Sequence, residues 1–420
     1  VNDGRNWQKL HGNFPVVPVY DMKIKQDDLV VGTHGRSFWI LDDLTPLREL
    51  AGQSSGTETE ISGIRFFPPR TTYRSTLNWS VNLFLGDGKN YSPAFGLPGT
   101  HYQETTPDGE KRLCHLDMGE NPPEGVIVNY FIESEANLKP EKPLELIVRD
   151  AKGAEIEGFS TKKTNEKSDK SESEESEPSD EKPSLTAKVG FNRFVWNMHY
   201  PGPEVKIDKS LEEPGYKPLG QGEAGAGGGP IAPPGSYQVC LKLGENEIRH
   251  SFEIVKDPRL NTSPEDFSAQ FELWIKIRNR VSEVNSAINR IRRIKLQISE
   301  LLARENFNNS AEEKSFGEIQ KAAEALREKF NTLENELTQN QYETPSDRLR
   351  HPTMLKQRME ALVSVVAVAD AAPPQQAYSV FEHLSVLIDQ RLAELSELEE
   401  QEVVRFNQQI DQARIRKLQG

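Results

Sequence analysis

His34 and Arg36 are the residues best placed for chemistry near the start of the chain, in the run Gly32-Thr33-His34-Gly35-Arg36. An imidazole and a guanidinium flanked by glycines at a tight strand-to-strand turn can be presented together to a ligand. The same residues have a structural reading: the glycines supply a positive φ, and Arg36 ties neighbouring β elements through backbone carbonyls. Asp42 and Asp43 are adjacent carboxylates, and glycoside hydrolysis runs on two acids flanking the scissile bond. Neighbours on a regular strand point to opposite faces, so this pair cannot flank one substrate and is expected to end its strand and bond to loop amides. His101, Cys114, His115 and Asp117 carry metal-ligating groups but lack HExxH or CxxC spacing, and a solvent-facing loop is the expectation. Trp196 and Tyr200 could stack on sugar rings, whereas a Trp in an alternating strand is expected in a core. No Ser/His/Asp constellation stands out. No catalytic residue, metal ligand or cofactor is assigned.

The totals narrow the classes. With 51 Lys and Arg against 65 Asp and Glu, the net charge is -14, which disfavours a phosphate-backbone partner such as nucleic acid. Mean hydropathy is -0.66, and no apolar run approaches the roughly 18–20 residues of a membrane span. Two cysteines, Cys114 and Cys240, are too few for a disulfide framework; they pair once or stay as thiols. The chain has room for two to four domains.

The elements that must position these residues fall into three textures. Residues 1–50 read as short strands separated by turns, an antiparallel meander. Residues 51–118 read as a linker and an irregular packing segment whose Phe66, Phe67, Tyr73, Trp79 and Phe84 need cover from water. Strand signals return over 119–256. In Tyr237-Gln-Val-Cys-Leu-Lys-Leu243 the apolar residues alternate, which puts Tyr237, Val239, Leu241 and Leu243 on a buried face and Cys240 on the wetter one. This span is expected to be a small β-sandwich with two insertions. The acidic insertion (162–184) holds, between Glu166 and Glu181, eight acids against two lysines and is expected to be disordered, either binding calcium or staying solvated. The Gly-rich loop 220–229 lacks the Lys-Ser/Thr of a phosphate loop.

From 257 to 420 the period changes to that of helices. Ser263, Pro264 and Asp266 form a start signal, and Phe267, Phe271, Trp274, Ile277, Val281, Val284, Ile288, Ile291, Ile294 and Ile298 make one stripe of a helix over about 50 Å long. Three more helices follow: one from the Ser310-to-Glu313 box, one over about 353–369 closed by Pro373-Pro374, and one through Phe381 to Ile410. The stripe of the last shifts near Glu399–Glu402. Short polar connections predict an antiparallel four-helix bundle, a surface on which the chain could self-associate.

Two passages resemble a known group. Asn2-Asp3-Gly4-Arg5-Asn6-Trp7 is similar to the tail of an Asp-box, the turn of BNR-type β-propellers in which a Trp packs under the turn. Leu29 to Asp43 (LVVGTHGRSFWILDD) resembles the closing strands of sortilin (VPS10)-like and xyloglucanase-like propellers, in large bacterial proteins often called BNR-repeat or glycosyl-hydrolase-like. FFPPR, Asn121-Pro-Pro-Glu-Gly125, Gly190 to Asn197 and Asp257-Pro-Arg259 fit the same group. The resemblance implies a multidomain β-then-α chain: the remnant of a β-propeller blade, an Ig-like β-sandwich and a helical tail. It implies structural roles for Asn2, Asp3, Gly4, Trp7, Gly32, Gly35 and Trp39, and a protein or glycan ligand bound through the propeller of a secreted, periplasmic or cell-surface protein. A non-enzymatic binding and assembly region is one functional expectation. The other is the accessory part of a glycoside hydrolase with its acids in upstream blades.

Overall fold

Gln26 and Asp27 adopt positive φ of 50° and 68°, which makes a two-residue turn whose twist suits a hairpin. That turn joins β1 (Val19–Lys25) to β2 (Asp28–Thr33), and β3 (Phe38–Leu41) completes a three-stranded antiparallel sheet in the order β1-β2-β3. A short helix, α1 (Thr45–Leu50), follows. The computed structural model describes residues 14–51, 60–75, 88–92, 99–105, 111–115, 123–134, 143–161, 183–211, 228–303, 310–341 and 349–412, with positions 4, 5, 7 and 347. Its described residues form two compact units. One lies within Val1–Ser171, Asp180–Met198 and Pro234–Arg259, the other within His199–Pro233 and Leu260–Gly420.

The stretch expected to be irregular, 51–118, contributes six strands: β4 (Glu60–Ile61), β5 (Ile64–Phe66), β6 (Thr72–Arg74), β7 (Gly88–Ser92), β8 (Gly99–Thr105) and β9 (Lys111–His115). The first three are too short to show a period: β4 is a local hairpin partner of β5, and partners distant in the chain create β5 and β6. β5 pairs with β10 (Val126–Ile132), in a four-stranded sheet of order β13-β10-β5-β4 that includes β13 (Gly190–Trp196). β6 runs parallel at the edge of a five-stranded sheet of order β12-β11-β14-β15-β6. That sheet holds β11 (Leu144–Asp150), β12 (Glu155–Ser160), β14 (Gly235–Leu243) and β15 (Asn246–Lys256). Strands β7-β8-β9 form a separate meander.

The four- and five-stranded sheets face each other. Phe194 meets Phe159 with ring centroids 4.6 Å apart, and Trp196 lies 6.1 Å from Tyr237 and 6.4 Å from Phe252. Trp196 is therefore a core side chain. Phe66 and Phe67 are buried, while Tyr73, expected to need cover, is half exposed. Tyr237, Val239, Leu241 and Leu243 are buried as their alternation predicts, but Cys240 on the opposite face is fully buried too, as a free thiol. Arg149, Glu247 and Arg249 lie around it, and long charged side chains cover apolar surface with their stems.

In the second unit, Ser263 caps α2 (Pro264–Leu302) with a reciprocal box: its Oγ accepts from Asp266 N at 3.1 Å and its own N–H donates to Asp266 Oδ2 at 3.1 Å. α3 (Ser310–Leu337), α4 (Leu355–Val366) and α5 (Gln375–Glu397) follow. The shift near 399–402 is a π-helical turn, Leu398–Val403, before α6 (Val404–Gln412). The five-residue step from Leu398 to Val403 returns the apolar stripe to the core. All these helices contribute to one hydrophobic core. Residues 199–211 and 228–233 belong with this unit rather than with the sheets on either side of them in sequence. Of the two insertions, residues 162–182 and 212–227 lie outside the described residues.

Candidate functional site

The three-stranded sheet carries candidates at both ends. At the first, β2 gives way to the turn holding His34 and Arg36. Gly35 takes φ of +78° and Ser37 a φ of 62°. Gly32, expected to supply positive φ, does not: it is a strand residue within β2. The chain reverses over residues 34–37, so only the later glycine meets the left-handed requirement. The turn is closed by Thr33, whose Oγ1 donates to Ser37 O at 2.6 Å, and by His34 N donating to Pro18 O at 3.0 Å. The His34 ring lies 4.9 Å from that of Tyr20. Trp39 Nε1 donates to the Arg36 carbonyl at 3.0 Å, and Phe14 meets the Trp39 ring edge-on at 5.5 Å. His34 and Arg36 are both exposed, so the turn displays them at the surface and does not enclose them in a water-shielded cleft.

At the other end, Asp42 and Asp43 follow β3. Asp43 has φ of 59° and is buried. Its N–H donates to Asp28 Oδ1 at 2.8 Å, and its Oδ1 accepts from Thr45 N at 3.1 Å, at the first turn of α1. Both aspartates thus end the strand, and Asp43 turns the chain there with its positive φ. Arg70 NH1 donates to Asp28 Oδ1 at 2.6 Å, and Arg48 pairs with Asp27. Burial, then the Asp28 carboxylate, pushes the Asp42 carboxyl above its ordinary range, against the pull of Arg70 and Arg193. A raised acid beside a second carboxylate is the polarity a proton-transfer pair needs. Here the acids face arginines: Arg70 bonds Asp28, and Arg193, on β13, donates to Asn129 on β10 at 3.3 Å. The cluster therefore anchors the β1–β3 sheet through strands of the same unit. Arg70, Asp28 and Arg193 carried no sequence signal, because their meeting depends on pairings 42 or more residues apart.

Of the remaining candidates, Asn2, Asp3 and Asp117 lie outside the described residues. Gly4 has φ of +79°, and a Cβ there would lie 3.6 Å from the Trp7 ring, which is itself 88% exposed rather than packed beneath the turn. His101 and His115, expected in a loop, stand opposite each other on β8 and β9, with Cys114 opposite Tyr102. Among the described residues no group of three His, Cys, Asp or Glu could hold a metal ion. No described helix is long and apolar enough to cross a membrane.

The sheet also presents its own surface. Direct pairings put Met22, Val31 and Trp39 in one row and Ile24, Leu29 and Leu41 in the next, all on one face. Met22 is 63% and Ile24 56% exposed. Among the described residues, neither β1 nor β3 has a further strand on its outer edge. Comparison with family models, with curated proteins and with solved structures finds no match to this chain.

Proposed function

We propose that this region is the non-catalytic binding and assembly end of a secreted β-propeller protein. In this reading β1–β3 are the last strands of a sortilin-like or BNR-repeat propeller. The two facing sheets are an Ig-like module, and α2 to α5 are an antiparallel four-helix bundle that spaces it and offers a surface for self-association. The ligand is a protein or a glycan taken by the propeller, with His34 and Arg36 displayed at its rim.

The observation that carries this reading is an apolar face on which Met22, Ile24 and Leu41 are exposed around the buried Val31, on a three-stranded sheet whose outer strands have no further partner among the described residues. An isolated small sheet with an apolar face has little independent stability, and a contiguous exposed apolar patch marks an interaction surface. Further β structure packed on that face is the cover a propeller provides. The carboxylates support the non-catalytic half of the reading, because Asp28, Asp42 and Asp43 are engaged by arginines and by backbone amides. The test is a panel of chromogenic sialosides and β-glucans incubated with the chain, beside a glycan array probed with the parent and with His34→Ala/Arg36→Ala. The expected result is no turnover, and any array binding lost in the double variant. Turnover that disappears in Asp42→Asn would overturn the proposal.

A further inference from the structure

Residues 199–208 run as a strap along α2, before a short 3-10 turn at Lys209–Leu211, and α2 reads the strap's main chain. Arg278 NH1 donates to Pro201 O at 3.4 Å, and Ser282 Oγ accepts from Glu204 N at 2.8 Å. Asn285 Nδ2 donates to Val205 O at 2.8 Å. Asn289 brackets Ile207 with both ends of its amide: Nδ2 donates to Lys206 O at 2.8 Å and Oδ1 accepts from Asp208 N at 2.9 Å. Positions 278, 282, 285 and 289 recur at steps of four, three and four, so they form one stripe of the helix. Along the strap Glu204, Lys206 and Asp208 are exposed while Val205 and Ile207 are half-buried, the period of an extended chain. Ile207 packs against the helical core, and Arg293 helps hold the Asp208 carboxyl below its ordinary range after the bonds from Ser210.

Every one of these bonds ends on a backbone atom, so the stripe recognises extension and not the strap's identity. Main-chain bonds with pockets for alternate side chains are how extended peptides are bound generally. The strap also fits incompletely. Asn285 is only 4% exposed, yet its Oδ1 has no hydrogen-bond partner, although the same amide at Asn289 satisfies both ends. A buried acceptor left unpaired is a standing cost, and a ligand that supplied an N–H there would fit better than the strap does. At its base the strap is clasped: Tyr200 N donates to Pro230 O at 2.9 Å, the His199 ring bonds Gly229 O at 2.7 Å, and a Cβ on Gly229 would lie 2.1 Å from Pro201 O.

We propose that this stripe of α2 is a groove for an extended peptide, held closed by the chain's own residues 201–208 acting as an imperfect self-ligand. The ligand is an extended segment with apolar residues two apart, followed by an acid facing Arg293. The inference is independent of the propeller reading. In the test, a fluorescein-labelled peptide with the sequence of residues 199–211 is titrated by anisotropy into the full chain, into the strap-releasing Val205→Ser/Ile207→Ser, and into the clasp-breaking Gly229→Ala. Circular dichroism and urea midpoints accompany each titration. A closed groove lowers apparent affinity by the fraction of open molecules, so at least one released variant of unchanged helicity should bind about tenfold tighter than the parent. Adding Asn285→Ala/Asn289→Ala should abolish that gain. No binding to either variant up to about 1 mM, or binding indifferent to Asn285 and Asn289, would overturn the proposal.

Discussion

The β1–β3 sheet and the helical unit use the same kinds of residue to opposite ends. In the helices, Ile277, Ile288, Phe330, Met359 and Ile388 are fully buried in a shared core. In the sheet, Met22, Ile24, Phe38 and Ile40 are mostly exposed. The helices carry clear amphipathic periods, while the strands alternate only loosely and place apolar residues on both faces. A 39-residue helix finds three partner helices in the same unit, whereas three short strands meet one another through their edges, which leaves most of their apolar side chains, Val31 aside, without cover among the described residues. Amphipathicity marks a surface that wants a partner; the rest of the fold decides whether that partner is already present.

The sharpest way to break this contrast is to delete matched apolar groups from the two regions. Phe330→Ala should lower the unfolding free energy of the helical unit by about 3–5 kcal/mol, read from urea midpoints. Next is the buried ion cluster in the same core, where Glu334 accepts from Arg292 Nε at 2.7 Å and from Lys295 Nζ at 2.9 Å. Glu334→Ala removes the carboxylate that both cations share and should cost about 3 kcal/mol, while Glu334→Gln should cost less. The facing sheets supply a pH probe. Burial lowers the pKa of His250, whose Nε2 bonds Phe66 O at 3.0 Å. The unfolded chain then takes up a proton near pH 6.5 that the folded chain refuses, so stability is full above that pH and falls as pH drops below it. The slope should not exceed about 1.4 kcal/mol per pH unit, and His250→Gln should remove it in denaturant titrations across pH 5–8. The smallest effect belongs to the open face: Met22→Ser and Ile24→Ser should change stability by under about 0.5 kcal/mol while reducing binding of a hydrophobic dye. A loss above about 2 kcal/mol there would mean that the face is covered, and the contrast would fail.

Legibility in sequence followed the range of the interaction. The cap of α2 was readable because Ser263, Pro264 and Asp266 act within one turn. So was the break at 399–402, because a stripe that slips must be re-registered by the helix carrying it. The alternation of Tyr237 to Leu243 identified one buried face, but the burial of Cys240 on the other depended on Arg149 and Arg249 from neighbouring strands. At the candidate site, the turn of His34 and Arg36 was legible from Gly35. The anchoring of Asp28 by Arg70 was not, since nothing local to either residue specifies the other.

Sequence alone determined the long helices of the second unit with their apolar stripes, and longer strands such as Val126–Ile132 and Gly235–Leu243, because period and capping act within a few residues. Tertiary structure alone decided which apolar faces are covered, that β5 and β6 exist at all, and that Ser282, Asn285 and Asn289 grip a strap and do not merely face water. Those outcomes rest on contacts between segments far apart in the chain, and a polar side chain carries the same letters whether it meets a solvent molecule or a backbone amide.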